Sequence, residues 1–107
     1  YALTPKKLSD EIINFASPPK ITVDTLDNIT YNTSIVNLSF SISALNFPVN
    51  YSVFLENSLL FAKITNFETS DSIVLNLTNG TNAVLIKGID KNKNKAFAQL
   101  LFNVTIK

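Results

Sequence analysis

The nine residues SIVNLSFSI, positions 34 to 42, decide how the rest of this chain is read. Val36, Leu38, Phe40 and Ile42 alternate with Asn37, Ser39 and Ser41. Successive side chains of a strand point to opposite faces, so strict alternation marks a strand with one face in a core and the other outside. A helix would scatter the same apolar residues around its circumference. Val, Ile and Phe also suit the pleated, half-buried surface of a sheet. The four apolar residues therefore face inward, and Asn37 and Ser39 face outward.

Working outward, similar runs recur at short spacing: KITVDTL (20–26), VNYSVFLE (49–56), SLLFAKI (58–64), SIVLNL (72–77), NAVLIKGID (82–90) and FAQLLFNVTI (97–106). Polar turns separate them, with LTNGTN (77–82) and DKNKN (90–94) the clearest. About seven strands, rich in Val, Ile, Phe and Thr, predict an all-β fold: an immunoglobulin-like antiparallel β-sandwich over residues 20–107. Residues 1–19 form an N-terminal extension. Thr4 can cap a short helix there with Pro5 at its first position, and Leu8, Ile12 and Phe15 then share a face. The alternative is a donor segment, and Pro18 and Pro19 end it either way.

The same alternation places the polar residues. The chain holds seven Asn-x-Ser/Thr triplets, at Asn28, Asn32, Asn37, Asn50, Asn76, Asn79 and Asn103. With 14 Asn and 20 Ser or Thr among 107 residues, chance gives roughly two or three acceptor triplets. Such a triplet is the acceptor for N-linked glycans. Inward-pointing Tyr51, Val53 and Leu55 turn Asn50 out, Ile73, Leu75 and Leu77 turn Asn76 out, and Leu100, Phe102, Val104 and Ile106 turn Asn103 out. Asn28, Asn32 and Asn79 fall in turns. Asn, Ser and Thr also share turns and exposed strand faces for purely structural reasons. The excess, with every triplet at a surface position, favours covalent N-linked glycans and an extracellular location after signal removal.

Composition excludes several functions. There is no Cys, His, Met or Trp, and all nine basic residues are Lys. Thiol and His-based triads and zinc sites of the usual kinds are excluded. The bidentate guanidinium contacts favoured for guanine and phosphate are missing, and with a net charge of +1 nucleic-acid binding is not expected. No uninterrupted apolar run reaches the length of a membrane span. DKNKN resembles half of a calcium loop but lacks its Gly and distal Glu, and an Asx-type turn is expected instead. Lys87, considered for an internal isopeptide cross-link, points outward by alternation. No enzyme activity, metal or cofactor is expected, and the start at Tyr1 is read as a processed product.

Outward positions also include apolar side chains: Phe54, Leu85, Ile89, Phe97 and Leu101. They fall on the third, sixth and seventh runs, which are neighbours in one sheet of an immunoglobulin-like sandwich. Such a patch usually belongs to an interface or is covered by another segment. Phe54, Leu85 and Leu101, together with Leu3, Leu8, Ile12, Ile13 and Phe15 of the extension, are the candidate subunit-interface residues.

PPKI, TYNTSIVNLSFSI, YSVFLEN, LTNGTNAVLIKGID, KNKN and LFNVTI together resemble the immunoglobulin/fibronectin-type module of archaeal cell-surface proteins, over residues 18 to 106. Where turns of that family often read Gly-Asn, this chain has Lys93-Asn94. A small, Cys-free, triplet-dense sandwich behind a separate N-terminal segment further resembles the subunit of archaeal threads, filaments like bacterial type I pili. That resemblance implies a homopolymer in which each N-terminal segment complements the neighbouring subunit. The alternatives are a monomeric adhesive or carbohydrate-binding module of a larger surface protein, and an accessory domain of a secreted enzyme.

Overall fold

A computed structural model describes residues 17–25 and 29–106. Leu3, Leu8, Ile12, Ile13, Phe15 and Asn28 lie outside the described residues. The strands are β1 (Lys20–Val23), β2 (Thr30–Tyr31), β3 (Ile35–Ser43), β4 (Val49–Leu55), β5 (Ser58–Thr65), β6 (Thr69–Asn76), β7 (Gly80–Ile89) and β8 (Lys95–Val104). A three-stranded sheet of order β1-β3-β6 packs on a five-stranded sheet of order β2-β8-β7-β4-β5. Apart from the parallel β2–β8 pair, every pairing is antiparallel. The fold is the expected all-β, immunoglobulin-like sandwich.

Alternation explains the core. Val36, Leu38, Phe40 and Ile42 of β3 are buried against Tyr51 and Val53 of β4, Leu75 of β6, Val84 and Ile86 of β7, and Leu100, Phe102 and Val104 of β8. Two edge-to-face ring pairs lie at the core: Phe40 and Tyr51, across the layers, have centroids 6.0 Å apart, and Tyr51 and Phe61, on neighbouring strands of one sheet, 6.2 Å. Such pairs add to the burial of their area.

Three details differ from the sequence reading. The first run stops at Val23 because Thr25 takes over its pairing through its side chain. Its hydroxyl donates to the Asn37 carbonyl at 2.9 Å and accepts from the Ser39 amide at 2.8 Å. The two-residue β2 is an extra element, held by the Thr105 amide donating to the Tyr31 carbonyl at 2.9 Å and by the Tyr31 ring against Phe102. Ile106, expected inside, lies beyond the end of β8 and is exposed.

Candidate functional site

The outer face of the five-stranded sheet gathers the apolar residues that alternation turned outward. The register runs in rows across it. Leu59 of β5 opposes Phe54 of β4, Phe54 opposes Leu85 of β7, and Leu85 opposes Gln99 of β8. In adjacent rows Lys87 opposes Phe97 and Ala83 opposes Leu101. Phe97 is 58% exposed and Leu101 41%, while Phe54, Leu85 and Ile89 are half-buried by their neighbours. Phe54, Leu85 and Leu101 thus lie on one continuous face.

Beside Phe54 the face carries a hollow of about 220 Å³, lined by Phe54, Ala83, Leu85, Glu56, Asn57 and Gln99 among others. Its rim is built by the β4–β5 hairpin. Glu56 and Asn57 both adopt left-handed backbone angles, φ 49° and 67°, as a two-residue turn with the twist of its strands requires. Asn enters that region more readily than Glu. Glu56 is held by β7: its amide donates to the Ala83 carbonyl at 2.9 Å, and its Oε1 accepts from the Ala83 amide at 2.8 Å.

The sequence reading did not single out Leu59 and Ile64 of β5, which are 58% and 68% exposed. A signal was present: SLLFAKIT is apolar at both parities, so neither face of that strand is reserved for water. Its position at the sheet edge was not legible.

The acceptor triplets are spread over both outer faces and the turns. Asn37 and Asn76 are exposed on the outer face of the three-stranded sheet, one step apart, with Asn37 opposite Val74 and Asn76 opposite Ile35. Asn50 is exposed near the start of β4, opposite Ile64 and Ile89. Asn32, Asn79 and Asn103 gather where β2, β7 and β8 meet. Asn103 is half-buried and its Oδ1 accepts from the Thr81 hydroxyl at 3.0 Å, while Asn79 Oδ1 accepts from the Ile106 amide at 3.0 Å. Both bonds use the amide oxygen, and a glycan bonds the nitrogen.

The polar clusters are structural knots. Asp90 is only 3% exposed. Its Oδ1 accepts from the Asn92 and Asn94 amides, both at 2.9 Å, and its Oδ2 accepts from Asn94 Nδ2 at 3.0 Å. DKNKN is thus the expected Asx-type turn, its carboxylate committed to its own loop. Lys93 there has φ 69°, a backbone angle that Gly adopts more readily. Asn82, 2% exposed, closes the preceding turn. Its Nδ2 donates to the carbonyls of Thr78, Gly80 and Phe102 at 2.8, 3.3 and 3.3 Å. Its Oδ1 accepts from the Thr78 amide and hydroxyl at 3.0 and 3.1 Å.

Between the sheets, Asp71 Oδ2 accepts from the Tyr51 hydroxyl at 2.8 Å and from Lys63 Nζ at 3.1 Å, while Oδ1 accepts from the Ser72 amide at 2.8 Å. Burial, then the Asp71 hydrogen bond and charge, push Tyr51 up to about 12. Burial alone would raise Asp71, but the bonds from Tyr51, Lys63 and Ser72 and the Lys63 charge outweigh it and hold the carboxyl below its ordinary value. A carboxylate kept ionised beside an ammonium is a salt bridge, not an acid–base pair poised for catalysis. Among the described residues no three acidic side chains gather as a metal site would require, and no helix is long and apolar enough to cross a membrane.

No family model matches the chain, and no curated protein matches it. Among solved structures it is similar to the fibronectin(III)-like modules of Clostridium thermocellum CbhA, at a TM-score of 0.61 and 6% identity. The likeness covers 83% of this chain and 47% of that one, so this chain spans about half the length of the chain it matches. At that identity the likeness speaks for the fold. The chain folds as an immunoglobulin/fibronectin-III-type β-sandwich.

Proposed function

We propose that this chain is the structural subunit of a glycosylated extracellular filament, in which residues 1–17 of each copy add to the sandwich of the next. The observation that carries the reading is an apolar patch on one outer face. Apolar side chains collect on the outer face of the five-stranded sheet around Phe54, Leu85, Phe97 and Leu101, with Asn50 and Asn103 nearer the strand ends of that face and Asn37 and Asn76 on the opposite sheet. Contiguous apolar area of this kind favours contact with a partner. A fibronectin-III-type sandwich needs no catalytic group to serve this role. Strand addition by a neighbour's segment supplies affinity through backbone hydrogen bonds, and head-to-tail contacts grow as fibres.

Two measurements test this. Mass spectrometry of the native protein is expected to find glycans on most of the seven triplets, Asn37 and Asn76 included. Deleting residues 1–17 is expected to abolish filaments in negative-stain images while the spectrum stays β-rich. Filaments that form normally without the segment would sink the assembly. A second reading, an adhesive module of a larger surface protein, is favoured by the match to modules that make up part of a longer chain. Native material imaged as filaments separates the two.

A further inference from the structure

On β3 and β6 the outward residues of the three-stranded sheet are all Ser but for four: Ile35, Asn37, Val74 and Asn76. Ile35 and Val74 are 60% and 56% exposed. The register sets Ile35 opposite Asn76 and Val74 opposite Asn37. Along each strand the same face alternates too, Ile35 being followed two positions later by Asn37, and Val74 by Asn76. The four residues therefore form a square with apolar and acceptor side chains on alternate corners. Its Cβ atoms lie about 5 Å apart across the strands and about 7 Å apart along them. A single exposed Ile or Val needs no explanation. Here both sit where two acceptor Asn flank them, and the outward positions farther along the two strands are Ser. The relation recurs on the other sheet, where Asn50 of β4 is opposite Ile64, 68% exposed. Asn103, opposite Thr81, is the exception.

We infer that Ile35 and Val74 are the seat of the chain's own sugars, with the first sugar on Asn37 lying over Val74 and the first sugar on Asn76 lying over Ile35. The inference rests on the reading that these triplets carry glycans, and it adds where the glycans go. A pyranose ring presents C–H groups on its faces, whichever sugar comes first. Laying such a face on an exposed Ile or Val removes apolar surface of both from water, which is favourable. The bond to Asn already holds the ring beside its neighbour, so the contact is intramolecular and escapes most of the entropy cost of association. The sugars act here as a cover that the fold is built to receive. A protein partner would have to approach a patch with a sugar rooted at two of its four corners.

The test uses the full chain secreted by a host that attaches N-glycans, trimmed enzymatically to a single N-acetylglucosamine on each occupied Asn. Asn37→Gln with Asn76→Gln removes the two sugars. Ile35→Thr with Val74→Thr removes the patch while keeping β-branched side chains in the strands. The two pairs of changes form a double-mutant cycle. With the patch present, losing the sugars is expected to lower the thermal unfolding midpoint by about 4 °C. With the patch replaced, the same loss is expected to shift the midpoint by less than about 1 °C. An equal shift in both backgrounds would overturn the inference and leave glycosylation standing, because the sugars would then act without the patch. Bare Asn37 and Asn76 in mass spectra of the native protein would overturn both. Filaments that form from the sugar-free chain and are lost on adding Ile35→Thr and Val74→Thr would also overturn it, by assigning the patch to a neighbouring subunit.

Discussion

The Tyr51 hydroxyl on β4 donates to Asp71 Oδ2 on β6 at 2.8 Å, a side-chain hydrogen bond that ties the two sheets together. Tyr51 is buried and the acceptor is charged, so Tyr51→Phe is expected to cost about 1.5–3 kcal/mol in urea unfolding, the range for hydrogen bonds to ions.

The same pair makes stability depend on pH at both ends. Asp71 has a lowered folded pKa, so its contribution is present above the unfolded value and is lost as acid carries the pH down through the folded one. Tyr51 is raised from 10.0 to about 12. Its contribution is therefore complete below 10 and is lost as the pH rises from there toward 12. Unfolding curves from pH 9 to 12 are expected to show that loss in the parent and a smaller one in Tyr51→Phe. Identical slopes would show that the hydroxyl is not held as described.

Asn82 is expected to be worth more than its size implies. Asn82→Ala would leave the Thr78 amide and the carbonyls of Thr78, Gly80 and Phe102 without its side chain in a buried site. The expected loss is about 2–4 kcal/mol, measured as a lower urea midpoint at unchanged m-value. A loss under 0.5 kcal/mol would mean that water replaces the amide.

Lys93 offers the opposite sign. An L-residue in the left-handed region costs roughly 1–2 kcal/mol, and Gly gives back part of that gain through its freer unfolded chain. Lys93→Gly is expected to stabilise by about 0.5 kcal/mol. Glu56→Gly should destabilise despite φ 49°, because it removes the bond to the Ala83 amide. Both shifts are readable by thermal unfolding.

Strand parity is tested by two changes in β3. Phe40→Ala empties a core position and should cost about 3–5 kcal/mol. Asn37→Gln, exposed on the other face, should leave the unmodified domain's stability nearly unchanged. The reverse ranking would mean that the faces are exchanged.

What the sequence determined by itself is which way each strand faces. The period of two is covalent geometry, so Val36 to Ile42, Tyr51, Val53, Leu75 and Phe102 could be placed in the core, and Asn37, Asn50, Asn76, Phe97 and Leu101 outside, without knowing their neighbours. Even the Asx-type turn at 90–94 was legible, because Asp and Asn bond their own backbone locally. Tertiary structure decided what depends on pairing between distant segments. Only the sheet order makes β5 an edge, with Leu59, Ala62 and Ile64 exposed along it. Asn82 reads as one more turn residue until its amide is seen against Phe102, twenty positions away. Thr25 ends β1 because β3 happens to lie beside it, and Tyr51 meets Asp71 only because the two sheets stack. Local alternation cannot encode such meetings, since they depend on which strands lie side by side.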